Sequence, residues 1–272
     1  VKIRILSGII GGILFLFLMI QGGFLLSLAI GFLSLLATRE IWKIMDQAGV
    51  RLSLPLAFFF NLVLMIGETI LWSADSPRLS SGSLWGLTFI TLLFISFLSF
   101  SRKGITQGVF VSLLAQIFVL LYPGLLFTYI FHLRNLAPKA GWQLLLFAFV
   151  VIWGTDTGAY FIGSAFGRNH LAPKLSPNKT VEGAVGGLLV GTLAGVFYGS
   201  VLQWPFLWSL GTGVLASFAG QVGDLFESFL KRLAGVKDSG HFLPGHGGVL
   251  DRFDSALFAL PVVYYLALLL FY

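Results

Sequence analysis

The chain has 272 residues, 57% of them hydrophobic and only 10% charged, with a mean hydropathy of +0.93. A soluble domain carries about a quarter charged residues, so this composition excludes one and indicates a polytopic membrane protein of all-α class, with the lipid bilayer as its solvent. There is no cysteine, which excludes disulfides and thiolate metal sites, and the net charge of +6 gathers in loops between apolar spans, a distribution that speaks against nucleic acid as a partner.

Nine apolar spans are expected, near 5–20, 24–38, 54–73, 84–100, 107–131, 141–166, 182–202, 207–230 and 253–272. Backbone groups in lipid must pair internally, so each reads as a helix. The first span opens with Lys2 and Arg4 in the manner of a signal peptide, but it lacks a small-residue cleavage site and another span follows at once, so it reads as a retained helix. "REIWKIMDQAGVRL" (39–52) reads as a cytoplasmic interfacial helix with Ile41, Ile44 and Met45 on one face and Trp42 near the headgroups, a plain connector being the alternative. Gly187, Gly191 and Gly195 repeat a small-xxx-small spacing that lets a second helix approach closely. Internal packing is the expected use, with a homodimer seam through transmembrane helices as the alternative. The organisation expected is five N-terminal spans in 1–140 and a site-bearing C-terminal part in 141–272, together one membrane unit.

Fourteen of the 17 Lys and Arg residues fall on one side of a nine-span layout, leaving Arg78, Arg134 and Lys139 on the other. By the positive-inside rule the N-terminus and the basic loops are cytoplasmic and the C-terminus lies outside.

The acids are unevenly placed, seven of the eleven following residue 150. Asp156 sits within the sixth span, and Asp224 and Glu227 within the eighth. An ionisable group at membrane depth costs about 2.5–3.5 kcal/mol on insertion scales, so it faces a wet cavity or a partner. A polar cluster that only locks helices is the bland alternative. Asp224, Ser228 and Lys231 follow at i, i+4 and i+7 on one helix face, and Asp251 and Asp254 are neighbours at the start of the ninth span. The intervening loop can fold back to bring Asp251 near Asp224. Carboxylates from two helices, with no sulfur, suit Mg²⁺, which keeps waters and phosphate oxygens. Zinc through His241 and His246 lacks a third ligand.

"GHGG" (245–248) precedes the ninth helix, whose first amides and dipole favour an anion. An ordinary tight turn would explain these glycines alone. Beside Lys231, Arg232, Lys237 and Arg252 a phosphate site is the better reading. The loop "GRNHLAPKLSPNKTVEGAVGG" (167–187) adds a second basic turn, with Asn178, Lys179 and Thr180 near a helix cap. These features describe a cytoplasm-facing polar cavity, partly within the bilayer, that holds metal-bound phosphate and opens to lipid.

"SFLKRLAGVKDSGHFLPGHGGVLDRFD" (228–254) resembles the signature of the phosphatidate cytidylyltransferase (CDP-diglyceride synthase) family. Ser228, Lys231, Arg232, Lys237, Asp238, His246, Gly247, Gly248, Asp251, Arg252 and Asp254 all stand at its positions. Upstream, Asp156 to Tyr160 and Ser176 to Gly183 resemble its second region. The resemblance implies transfer of a cytidylyl group from CTP to phosphatidic acid, giving CDP-diacylglycerol and pyrophosphate. It implies that Asp224 and Asp251 hold Mg²⁺, with Asp254 or Asp156 serving a second cation. Lys231, Lys237 and Arg252 would take the lipid phosphate or the departing pyrophosphate, and His246 with the Gly247 and Gly248 amides would stabilise developing charge. Ser176, Asn178 and Lys179 would meet CTP. Ser228 and Arg232 join the substrate set. The implied location is a bacterial inner membrane. A CTP-dependent lipid kinase and an anion transporter are the rivals. The complete 228–254 pattern counts against the first, and the absence of an internal repeat against the second.

Overall fold

Apolar chain in lipid must satisfy its own amides, and the computed structural model does so with helices throughout. It describes residues 2–73, 81–101, 104, 106–137, 139–240, 242 and 247–271. In chain order these are α1 (Lys2–Gln21), α2 (Gly23–Gln47), α3 (Leu54–Ser73), α4 (Ser81–Ser101), α5 (Gln107–Val119), α6 (Leu126–Leu136), α7 (Gly141–Phe166), α8 (Val181–Val201), α9 (Phe206–Leu233) and α10 (Leu250–Phe271). A π-helical turn at Leu120–Leu125 contains Pro123 and joins α5 to α6 as one rod. Such turns absorb a residue that cannot donate to the helical ladder.

Each of the nine expected spans corresponds to a helical rod, but among the described residues six, not nine, qualify as crossings. Among the described residues, six segments are long and apolar enough to cross a membrane: Gly23–Gln47, Leu54–Leu71, Gln107–Leu136, Gly141–Phe166, Val181–Val201 and Leu250–Leu270. Among the described residues the apolar stretches of α1 and α4 are Gly8–Gln21 and Leu84–Leu98. Helix α9 fails for a different reason. Its 28 residues would run about 42 Å, but apart from Ala216 and Leu230 its buried residues are serine, threonine, glycine and Glu227, so small and polar residues dilute its hydropathy. The alternation of sides counted over nine crossings does not carry over to six.

The interfacial helix expected at 39–52 is also corrected. Helix α2 runs unbroken to Gln47, and Ile41, Ile44 and Met45 are buried rather than laid on headgroups. Trp42 Nε1 instead donates to the Leu52 carbonyl at 3.3 Å.

The chain divides into two compact units, Val1–Phe131 with Leu233–Leu250, and His132–Arg232 with Asp251–Tyr272. In the first, Phe60, Leu64, Leu92 and Leu120 form an apolar core. A buried polar knot lies in the same unit: Asn61 Nδ2 donates to Ser34 Oγ (2.9 Å) and Thr38 Oγ1 (2.8 Å), and Ser34 Oγ donates to the Pro123 carbonyl (2.8 Å).

In the second unit α7 and α8 pack along a glycine seam. A Cβ at Gly191 would stand 2.8 Å from the Val151 carbonyl oxygen, and one at Gly187 would stand 2.7 Å from that of Thr155. Gly195 is equally closed in by Val151 and Phe147. The small-xxx-small spacing therefore serves internal packing, as expected. Gly191→Val should lower the thermal midpoint in detergent, since overpacking of this kind costs about 1–3 kcal/mol. Gly211, whose surroundings are open, should tolerate alanine in the same assay.

The loop after α7 is an antiparallel hairpin, β1 (His170–Ala172) with β2 (Ser176–Thr180), pairing His170 with Thr180 and Ala172 with Ser176. An all-helical reading did not anticipate it. The expected cap is present: Thr180 Oγ1 accepts from the Gly183 amide at 3.1 Å and starts α8.

Candidate active site

Within the second unit, α7, the hairpin, the start of α8 and α9 enclose a cavity of about 540 Å³. Helix α7 contributes Asp156 and Tyr160, the hairpin Ser176, Asn178 and Lys179, and α9 Gln221 and Asp224. Five residues singled out from sequence thus share one cavity: Asp156, Ser176, Asn178, Lys179 and Asp224. Lys179 and Asp224 form an ion pair, each about one-third exposed (30%/30%), so both charges remain accessible to a ligand. Asp254 of α10 and Asp156 of α7 each interact electrostatically with Asp224.

The hairpin is tied down at both ends. The Glu182 carboxylate accepts from the Arg168 amide (3.0 Å), the Asn169 amide (3.2 Å) and Asn169 Nδ2 (2.8 Å). Arg232 Nε donates to the Leu175 carbonyl in the hairpin turn at 3.1 Å. Glu182→Ala releases one of these anchors. It should raise KM for a ligand gripped by Ser176, Asn178 and Lys179 roughly three- to tenfold while moving kcat less, as expected for loss of uniform binding. Steady-state kinetics at saturating lipid would measure it.

A second charged group lies at the C-terminal end of α9. Lys231 Nζ bridges Glu227 Oε2 at 2.5 Å and Asp251 Oδ1 at 2.7 Å, with side-chain exposures of 12%, 0% and 8% respectively. The face expected for Asp224, Ser228 and Lys231 is present on α9, and Ser228 is buried. Asp254 Oδ1 accepts from the Ser255 amide at 2.6 Å. Arg252 and Lys237 are exposed. Lys237, Gly247 and Gly248 belong to the first unit, where the amides of Val249 and Leu250 at the start of α10 are bonded to Glu40. The anion expected at this helix end is therefore a side chain of the protein. His246 and His241 lie outside the described residues, as do Arg78, Arg102 and Lys103.

Sequence reasoning missed Tyr160 and Gln221 as parts of the cavity, and it singled out Glu227 as an acid at membrane depth without giving it Lys231 as a partner. Helical spacing could have found them: Tyr160 follows Asp156 by four, Gln221 precedes Asp224 by three, and Glu227 precedes Lys231 by four.

Among the described residues, no three His, Asp or Glu side chains converge into a closed cation cage. The donors nevertheless fit Mg²⁺, which takes oxygen ligands and is commonly held by one or two carboxylates together with waters and substrate phosphates. Asp224, neighboured by Asp156 and Asp254, offers that set without sulfur or imidazole.

The cytidylyltransferase family model matches residues 2–270. Curated relatives agree along their length. The phosphatidate cytidylyltransferase of Bacillus subtilis (strain 168) is 37% identical over 274 residues, 97% of each chain. That of Staphylococcus saprophyticus is 37% identical over 267 residues, 96% of this chain and 97% of its own. That of Staphylococcus aureus (strain COL) is 35% identical over 268 residues, with the same coverage. With two acids and a lysine on one cavity of a chain rich in membrane-length helices, and with similarity that runs from end to end, this chain belongs to the phosphatidate cytidylyltransferase family and is a membrane-embedded nucleotidyltransferase.

Proposed function

We propose that this protein joins CTP and phosphatidic acid into CDP-diacylglycerol and pyrophosphate in a bacterial cell membrane. One observation carries the reading beyond family membership: Lys179 and Asp224 stand paired yet accessible on a cavity large enough for a nucleotide, with Asp156 beside them. A phosphatidate oxygen attacks the α-phosphorus of CTP in line. A new P–O bond forms as the bond to the β-phosphate bridging oxygen breaks, and pyrophosphate leaves with that electron pair. The lipid phosphate is already an anion, so no covalent enzyme intermediate is required.

Ser176, Asn178 and Lys179 grip CTP, with Lys179 exchanging its contact with Asp224 for the triphosphate. Lys231, Arg232, Lys237 and Arg252 provide cationic contacts for the lipid phosphate or the departing pyrophosphate. Ser228, Gly247, Gly248 and His246 complete the substrate contacts. Asp224 and Asp251 are the carboxylates assigned to Mg²⁺, with Asp254 or Asp156 for a second cation. When bound, the metal neutralises charge on the triphosphate and its leaving group. The basic residues of the hairpin and of the end of α9 support a site that faces the cytoplasm. By the same rule Lys2 and Arg4 support a cytoplasmic N-terminus. A homodimer through transmembrane helices would use faces other than the α7–α8 glycine seam.

The test supplies CTP labelled separately at the α and γ phosphates, with phosphatidic acid and Mg²⁺, to purified protein in detergent. Label from α-CTP in lipid, with pyrophosphate released and Asp251→Asn silent, is the expected result. Label from γ-CTP in a lipid alcohol, with CDP released, would assign a lipid kinase instead.

A further inference from the structure

Glu40 has no part in the family signature, yet its carboxylate is among the most densely engaged in the molecule. It belongs to α2 and is 7% exposed. Oε1 accepts from the Val249 amide at 2.9 Å. Oε2 accepts from the Leu250 amide at 2.9 Å and from Ser239 Oγ at 3.1 Å. All four residues lie in the same unit, and Glu40 is 209 and 210 residues from the two amides it holds. A Cβ on Gly240 or on Gly248 would stand 2.5 Å from Oε1, so two glycines form the walls of the slot that admits the carboxylate.

The amides concerned are that of Val249, the residue before α10, and that of Leu250, its first residue. A helix start leaves its amides without intrahelical partners and carries the positive end of the dipole, so a carboxylate there is doubly favoured. Most helices take such a cap from a neighbouring residue. Here the cap comes from α2, and it fixes the residue at which α10 begins. Asp251 follows Leu250 directly in this helix, and Asp254 lies one turn further on. A 100° error per residue in the start would turn both carboxylates away.

We propose that Glu40 is a positioning residue for the reaction: by capping α10 at Leu250 it fixes the helical register in which Asp251 and Asp254 follow. The inference rests on the reading that α10 carries carboxylates of the reacting site. Glu40→Gln keeps the shape but replaces one acceptor oxygen with a donor that meets N–H or O–H groups, so a hydrogen bond is lost and a clash of donors replaces it.

The experiment compares wild type and Glu40→Gln, both purified in detergent, by two readouts. Hydrogen–deuterium exchange over 247–255 should quicken in the variant while exchange over α7 and α8 stays unchanged. In the labelled-CTP assay kcat should fall by roughly 10- to 100-fold, and the half-saturating Mg²⁺ concentration should rise roughly tenfold, the range for losing a group that orients metal ligands. A smaller folded fraction lowers kcat but cannot move the half-saturating concentration. Should Glu40→Gln fail to fold, Ser239→Ala removes one of the donors to Glu40 and should shift Mg²⁺ half-saturation roughly threefold in the same direction. A folded variant with wild-type Mg²⁺ dependence and wild-type kcat overturns the proposal. A wild type that transfers no label sinks the cytidylyl reading instead, so the two failures are distinguishable.

Discussion

Asp224→Asn is expected to lower cytidylyl transfer by roughly 10²- to 10³-fold, the range seen when one preorganised electrostatic group is removed from a reacting site. Asp224 is the meeting point of the cavity. It pairs with Lys179, interacts with Asp156 and Asp254, and lies at the cavity wall. Asparagine keeps the size and the helix but removes the charge, so metal affinity should fall and Lys179 should lose its resting partner. The thermal midpoint should change little, because both side chains are partly exposed and such pairs contribute about 0–1 kcal/mol to stability. Transfer from α-labelled CTP is the measurement. Wild-type turnover in the variant would remove Asp224 from the chemistry and shift attention to the Lys231 group.

Lys231→Met should damage stability and activity together. Lys231 lies between Glu227 and Asp251, all three nearly or fully buried. Removing the cation leaves two carboxylates facing each other out of water, and breaking a buried pair in this way costs about 3–5 kcal/mol. A large drop in the detergent melting midpoint is expected, with no detectable label in lipid. Adding Glu227→Gln to Lys231→Met removes one of the stranded charges, so the double variant should regain much of the lost midpoint. It should not regain activity, since the lysine proposed to contact phosphate is still missing. Recovery of both would make Lys231 a structural residue only. Recovery of neither would mean that Asp251 is the charge that cannot be left alone.

Much of this was legible from the order of residues. Apolar runs of membrane length forced helices, because an unpaired amide in lipid has no alternative partner. The cap at Thr180, the glycine spacing at 187, 191 and 195, and the shared face of Asp224, Ser228 and Lys231 are local periodicities, and each stands as expected. Local periodicity failed where membership of a layer depends on what lies opposite. Helix α9 looked like another crossing, yet its buried face is mostly small and polar, and Gln221 and Asp224 of the same helix line the cavity. Residues 39–52 looked interfacial, yet Ile41 and Ile44 are buried in their unit.

The sequence by itself determined the class, the family and the residue types of the site, because chemistry at a fixed spacing survives in a string. Only the tertiary structure decided which of those residues meet. It joined the hairpin's Lys179 to Asp224 across 45 residues and gave Lys231 to Glu227 and Asp251 together. It also placed Glu40 on the amides of Val249 and Leu250 at the start of α10. No periodicity encodes that contact, since a carboxylate and two amides some 209 positions apart share neither a helix nor a turn. Such pairs form only because a buried charge and a buried helix end each require a partner, and packing brings them together.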